Sequence, residues 1–101
     1  MIEETEEYRG VWIFAEQRKR KLLEVSLELL GGGRALAEKL GVDLSAILLG
    51  YNVSDLAKEL IAQGADDVYL VSHPLLEVYQ SDIYAKVLAN LVNQHKPEIF
   101  L

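Results

Sequence analysis

Apolar positions along this chain come in two rhythms: short unbroken runs, and longer stretches in which they recur three and four residues apart. The first run is VWIFA at 11–15, five apolar residues without alternation that stop at Glu16 and Gln17. A strand covered on both faces reads this way, because helices on either side of a parallel sheet leave it no wet face. LSAILL at 44–49, closed by Gly50, and DVYLV at 67–71 read as the second and third strands. Between the first two runs the spacing of Leu29, Leu30, Leu36, Ala37 and Leu40 predicts a helix over 26–40, with Ser26 as N-cap and Gly41 at the C′ position.

A second helix is predicted over 53–63. Asn52 with Asp55 three residues on resembles a capping box, Leu56, Leu60 and Ile61 form the apolar stripe, and Gly64 ends it. Ser72-His73-Pro74 breaks the third strand, since proline lacks an N–H and biases its predecessor toward extended geometry. Residues 75–80 read as irregular or as a single turn. A third helix starts near Ser81 or Asp82 and turns Ile83, Val87, Leu88, Leu91 and Val92 inward; Pro97 follows it, and 98–101 begins a fourth strand. Strand and helix in alternation imply βαβ units and a three-layer α/β/α parallel sheet of Rossmann-like type. An ending inside an apolar strand gives the expectation of an N-terminal piece of a longer polypeptide. It would divide into an acidic tail at 1–8 and an α/β domain at 9–101.

Composition narrows the function classes. At 101 residues the chain is one domain. No apolar run approaches the roughly 20 residues that span a bilayer, and the start MIEETEE is acidic, the opposite of a secretory leader. Without cysteine there is no disulfide framework and no thiolate chemistry. A net charge of −6 and a pI near 4.8 disfavour nucleic acid and anionic membranes as partners. A soluble cytoplasmic protein is expected. One local exception is Arg18-Lys19-Arg20-Lys21, four cations in a row after the first strand. They could contact a phosphate or an acidic partner; a solvated connecting loop is the preferred reading.

Candidate chemistry is sparse. Gly31-Gly32-Gly33-Arg34 invites a phosphate-cradle reading, but a Walker loop needs a terminal Gly-Lys-Ser/Thr and a dinucleotide loop must follow the first strand directly. The helical stripe runs through these glycines in register and places Gly33 against the sheet, so a packing role is preferred. His73 and His95 lack further donors at ligand spacing, and no metal is expected. His95 falls at a helix C-terminus, where a cation suits the macrodipole. Asp66-Asp67 sits in a turn, and no nucleophile, base or catalytic pair can be assembled. What remains is the crevice at the carboxyl ends of the strands, where open α/β sheets bind ligands. Its groups are Ala15, Glu16 and Gln17 after the first strand, Gly50, Tyr51 and Asn52 after the second, and Ser72 and His73 after the third. Amides there could read an adenine edge, or the same residues could merely cap helices and hold loops; the two readings stand level.

Taken together, VWIFAEQ, VSLELLGGGRALAEKLG, LSAILLG, NVSDLAKELIAQGADDVYLV, HPLL and DIYAKVLANLVNQHKPEI resemble the N-terminal domain of the electron transfer flavoprotein alpha subunit, in order and spacing, over nearly everything after Tyr8. The resemblance implies an adenine nucleotide alpha-hydrolase-like fold, truncated after the start of the fourth strand. It also implies a beta-subunit partner, dehydrogenase redox partners, and electron transfer through FAD. The FAD site of such proteins lies mainly in a C-terminal domain, beyond Leu101, so no cofactor is expected in these 101 residues. The crevice at Ala15, Glu16, Gln17, Gly50, Tyr51 and Asn52 then corresponds to a degenerate nucleotide site.

The leading expectation is a scaffold and subunit-docking domain of an FAD-containing electron carrier rather than an enzyme. The alternative is a free-standing adenine-nucleotide-binding module of the universal-stress type, for which a later Gly-rich phosphate loop would be required. The fourth strand should lie beside the first and, without a further neighbour, form an apolar edge able to recruit a second copy.

Overall fold

The computed structural model describes residues 9–101, so the acidic tail expected at 1–8 lies outside the described residues. Four parallel strands form the sheet: β1 (Val11–Phe14), β4 (Leu44–Gly50), β5 (Asp67–Ser72) and β6 (Ile99–Phe100). The order is β5-β4-β1-β6, with Val11 opposite Leu44 on one side and Ile99 on the other. The first strand is therefore central, and the chain winds outward through β4 to β5 before crossing back to β6. A separate two-stranded antiparallel ribbon, β2 (Gln17–Arg18) and β3 (Lys21–Leu22), stands just past the end of β1.

Alternation along the strands sorts the core into two layers. Val11, Ile13, Ala15, Leu44, Ala46 and Leu48 face α1 (Glu24–Leu40) and α2 (Ser54–Ala62), meeting Leu30, Ala37, Leu56 and Leu60. Trp12, Ile47 and Leu49 face the other way, toward α3 (Ser81–His95), where Tyr84 is buried and Ile83, Val87, Leu88, Leu91 and Val92 pack against them. Helices on both faces explain why β4 is buried at all seven positions. This is the three-layer arrangement that the unbroken apolar runs predict.

Gly33 lies at the tightest crossing. A Cβ there would stand 2.8 Å from the Leu44 Cδ1 and 3.0 Å from the Ile13 Cγ2, so only glycine lets α1 settle this close to the sheet. Gly31 and Gly32 face open space. The packing role is thus confined to the third glycine of the run.

Several local expectations need correction. Helix α1 begins at Glu24, flanked by Leu23 without a side-chain cap. Ser26 lies inside its first turn, fully buried, and its hydroxyl donates to the Glu16 carbonyl at 2.8 Å instead of capping the helix. Asn52 does not cap α2: that helix starts at Ser54 behind Val53, with no side-chain cap, while Asn52 takes a left-handed turn at φ 58°. Leu40 and Ile61 point to solvent, so each apolar stripe is one residue narrower than the spacing implies.

The basic run is not an open loop. Lys19 and Arg20 form the two-residue turn of the β2-β3 hairpin, both left-handed at φ 51° and 65°. The segment after β5 is one turn of 3₁₀ helix at Pro74–Leu76, as the proline suggests.

At the amino edge of the sheet, Asp66 ties three elements together. Its carboxylate accepts from the Leu44 N–H at 2.7 Å and from the Arg34 guanidinium at 3.1 Å, while Arg34 also donates to the Gly64 carbonyl at 2.9 Å. The Leu44 N–H, followed by Arg34, holds the Asp66 carboxyl below its ordinary pKa against the opposing effect of burial. His95 stacks on Tyr69 with ring centroids 4.7 Å apart, inside an aromatic group that includes Trp12.

Candidate functional site

The carboxyl ends of β1 and β4 carry the residues singled out from sequence, and the fold brings most of them together. Ala15 is buried, and its N–H continues the ladder to the Ile47 carbonyl at 2.9 Å. Glu16 presents its carbonyl to two donors, the Leu23 N–H at 3.0 Å and the Ser26 hydroxyl. Its carboxylate reaches toward Arg18 at 3.8 Å in a solvent-exposed pair, which contributes little. Gln17 donates its side-chain amide to the Leu49 carbonyl at 3.2 Å and accepts from the Arg20 N–H at 3.1 Å.

Gly50 makes this contact possible. A Cβ there would lie 2.9 Å from the Gln17 Nε2 and 3.1 Å from both Val53 methyl groups. Tyr51 is half-buried beside Gln17, whereas Asn52 is exposed and lines neither of the depressions described below. Ser72 ends β5; His73 bonds its N–H to the Gly50 carbonyl at 3.0 Å and accepts from the Leu75 N–H through Nδ1 at 3.1 Å. His73 therefore serves the turn.

Two depressions flank the hairpin and share Gln17, Lys19, Glu77 and Val78. One, of about 210 Å³, runs under Phe14 and Ala15 toward Tyr79 and Tyr84; the other, of about 250 Å³, runs past Arg20, Tyr51 and Val53. The wall made by Glu77, Val78 and Tyr79 was not legible in the sequence, because the segment after Pro74 has no periodicity. Tyr84 supports it from below: its hydroxyl donates to the Leu76 carbonyl at 2.6 Å and its ring meets Tyr79 edge-on at 4.8 Å. Burial, with Tyr79 adding to it, raises the Tyr84 phenol above its ordinary pKa, so it remains a neutral donor.

Pockets that enclose ligands of drug size run from roughly 300 to 1,000 Å³, and each depression is smaller than that range. The two exposed helix glycines lie on α1, not at the strand ends. No group of metal-ligating side chains occurs among the described residues, and no described helix is long and apolar enough to cross a membrane.

Residues 11–101 match the electron transfer flavoprotein domain. The chain belongs to that family. The electron transfer flavoprotein subunit alpha of Clostridium acetobutylicum is 54% identical over 93 residues, covering 92% of this chain and 28% of the relative. The acryloyl-CoA reductase electron transfer subunit beta of Anaerotignum propionicum is 47% identical over 94 residues, 93% of this chain and 26% of the relative. Protein FixB of Azorhizobium caulinodans is 45% identical over 97 residues, with 93% and 26% covered. The chain thus spans between a quarter and a third of the length of these relatives, and the resemblance to the electron transfer flavoprotein alpha subunit seen in the sequence is borne out.

Proposed function

We propose that residues 9–101 form the N-terminal scaffold and subunit-docking domain of a cytoplasmic electron transfer flavoprotein. In this reading the domain pairs with a beta subunit, and FAD is held by polypeptide outside these 101 residues. The assembled carrier shuttles electrons from dehydrogenases to an acceptor, and this domain performs no step of that chemistry.

The observation that carries the proposal is the self-occupied strand-end crevice. In an open α/β sheet a nucleotide would meet the groups following β1 and β4. Here the Gln17 amide is engaged at both its nitrogen and its oxygen, and the Glu16 carbonyl has two donors of its own. A nucleotide would compete with these bonds for the same groups, each bond contributing about 1 kcal/mol. The degenerate crevice at Ala15, Glu16, Gln17, Gly50, Tyr51 and Asn52 is therefore a structural joint in this proposal. The family match also weighs against a free-standing stress-type module.

The sheet offers a second, weaker contact. Strands β5 and β6 each have one neighbour, and apolar edges recruit other chains. Concentration-dependent association of the isolated chain is expected by light scattering.

The proposal is tested by purifying the 101-residue chain, recording flavin absorbance, and titrating AMP, ADP and FAD by calorimetry. No stoichiometric flavin and no submillimolar nucleotide binding are expected. Flavin co-purifying one-to-one overturns the assignment of the cofactor site elsewhere.

A further inference from the structure

The charged side chains at 18–21 have no part in the scaffold reading, and the fold gives the run a definite shape. Arg18, Lys19, Arg20 and Lys21 are all exposed on the β2-β3 hairpin, just beyond the carboxyl end of the central strand. They are four of the chain's ten Lys and Arg residues, set in one block on a chain with sixteen Asp and Glu. Among the described residues Arg18 has one solvent-exposed ion pair with Glu16, and none is formed by Lys19, Arg20 or Lys21. The turn is also strained. Lys19 and Arg20 both adopt left-handed backbone, which a two-residue hairpin ordinarily assigns to Asn and Gly. The Gln17 side chain holds this conformation by accepting from the Arg20 N–H.

Beside the hairpin stands an apolar ledge. Val78 is 67% exposed and Tyr79 58%, and they share the 210 Å³ depression with Arg18 and Lys19. Tyr79 is braced by its edge-on contact with Tyr84, so this aromatic is both exposed and positioned. Glu16 and Glu77 line the same depression and would repel an anion seated within it. Negative charge is favoured over the hairpin tip, and an uncharged side chain beside Tyr79.

We propose that the hairpin and the Val78–Tyr79 ledge form a docking surface for an acidic protein segment. The segment lays its carboxylates over Lys19, Arg20 and Lys21 and seats one aromatic or aliphatic side chain against Tyr79. Charge complementarity selects the partner's sign, and the small apolar depression selects a side-chain anchor, the usual division between rim and hot spot. Nucleic acid fits less well. Its affinity rests on neutralising many phosphates along a track, whereas this basic block spans four residues on an acidic chain. The inference does not depend on where FAD binds.

The probe is a dye-labelled, end-capped peptide of alternating Glu and Asp around one Trp, titrated into the 101-residue chain by fluorescence anisotropy. A second peptide carries Ser in place of Trp, and heparin serves as a polyanion without an anchor. Saturable one-to-one binding is expected, weakened about tenfold by combined Lys19→Gln, Arg20→Gln and Lys21→Gln, and retained by Lys19→Arg with Lys21→Arg. Tyr79→Ser is expected to weaken the Trp peptide severalfold and leave the Ser peptide unchanged. If the triple variant melts early, the Tyr79→Ser and peptide cycle decides alone. Absence of saturable binding, indifference to these substitutions, or equal binding of heparin and the Trp peptide to wild type and Tyr79→Ser would overturn the proposal.

Discussion

Gln17 holds the hairpin to the end of β4 through one side chain, donating to the Leu49 carbonyl at 3.2 Å while accepting from the Arg20 N–H at 3.1 Å. The first bond crosses from the ribbon to the central sheet, and the second is local and closes the turn. Replacing Gln17 with Ala leaves both partners unpaired, at about 1 kcal/mol per bond. Gln17→Ala is expected to lower stability by about 1–2 kcal/mol in urea melts and to accelerate tryptic cleavage within 18–21. Unchanged cleavage would show that the hairpin is held by something else.

The three consecutive glycines of α1 should respond in opposite directions. Gly33→Ala drives a methyl to within 3.0 Å of Leu44 and Ile13, an overpacking expected to cost about 1–3 kcal/mol. Gly31→Ala and Gly32→Ala meet nothing within 4 Å and should stabilise the helix by up to about 1 kcal/mol each. Thermal melts of the three single variants check the pattern.

Much of this architecture was legible because burial on both faces removes alternation. The runs at 11–15 and 44–49 sit in the middle of the sheet, where the sequence has no polar face to display. What escaped was governed by single tertiary contacts. The hairpin lacks Asn, Gly and β-branched residues, and Gln17 supplies the closure that turn residues ordinarily give. Ser26 and Asn52 carry capping side chains, yet Ser26 is drawn inward by the Glu16 carbonyl and Asn52 is used for its left-handed backbone. The strand-end location of the candidate site followed from the chain order. The Val78–Tyr79 wall did not, because it is set by the Tyr84–Leu76 bond and not by any repeat.

Turn strain can be relieved. Arg20→Gly permits φ near 65° without a Cβ penalty and preserves the N–H donated to Gln17. A gain of about 1 kcal/mol is expected, since left-handed backbone costs a non-glycine residue roughly 1–2 kcal/mol. Equilibrium unfolding of the single variant measures it.

Acid sensitivity should run through Asp66. The Leu44 N–H and then Arg34 depress its folded pKa below an unfolded value of about 3.9. A depressed carboxyl contributes stability that is fully present above the unfolded pKa and is lost as pH falls through the folded one. Stability should therefore decline on acidification below about pH 4. Asp66→Asn should flatten that acid limb, with a loss near neutrality of about 1 kcal/mol or less because the carboxylate is partly exposed. Urea midpoints across acidic pH test the slope.

The central claim, that the strand-end crevice is a closed joint, is tested most directly at the Gln17 side-chain amide by NMR. The Nε2 proton bonded to the Leu49 carbonyl is predicted to exchange more slowly than its geminal partner, and both are predicted to keep their shifts when AMP or FAD is added in excess. Equally fast exchange of the two in the free protein, or a saturable shift at one equivalent of either nucleotide, would contradict the account.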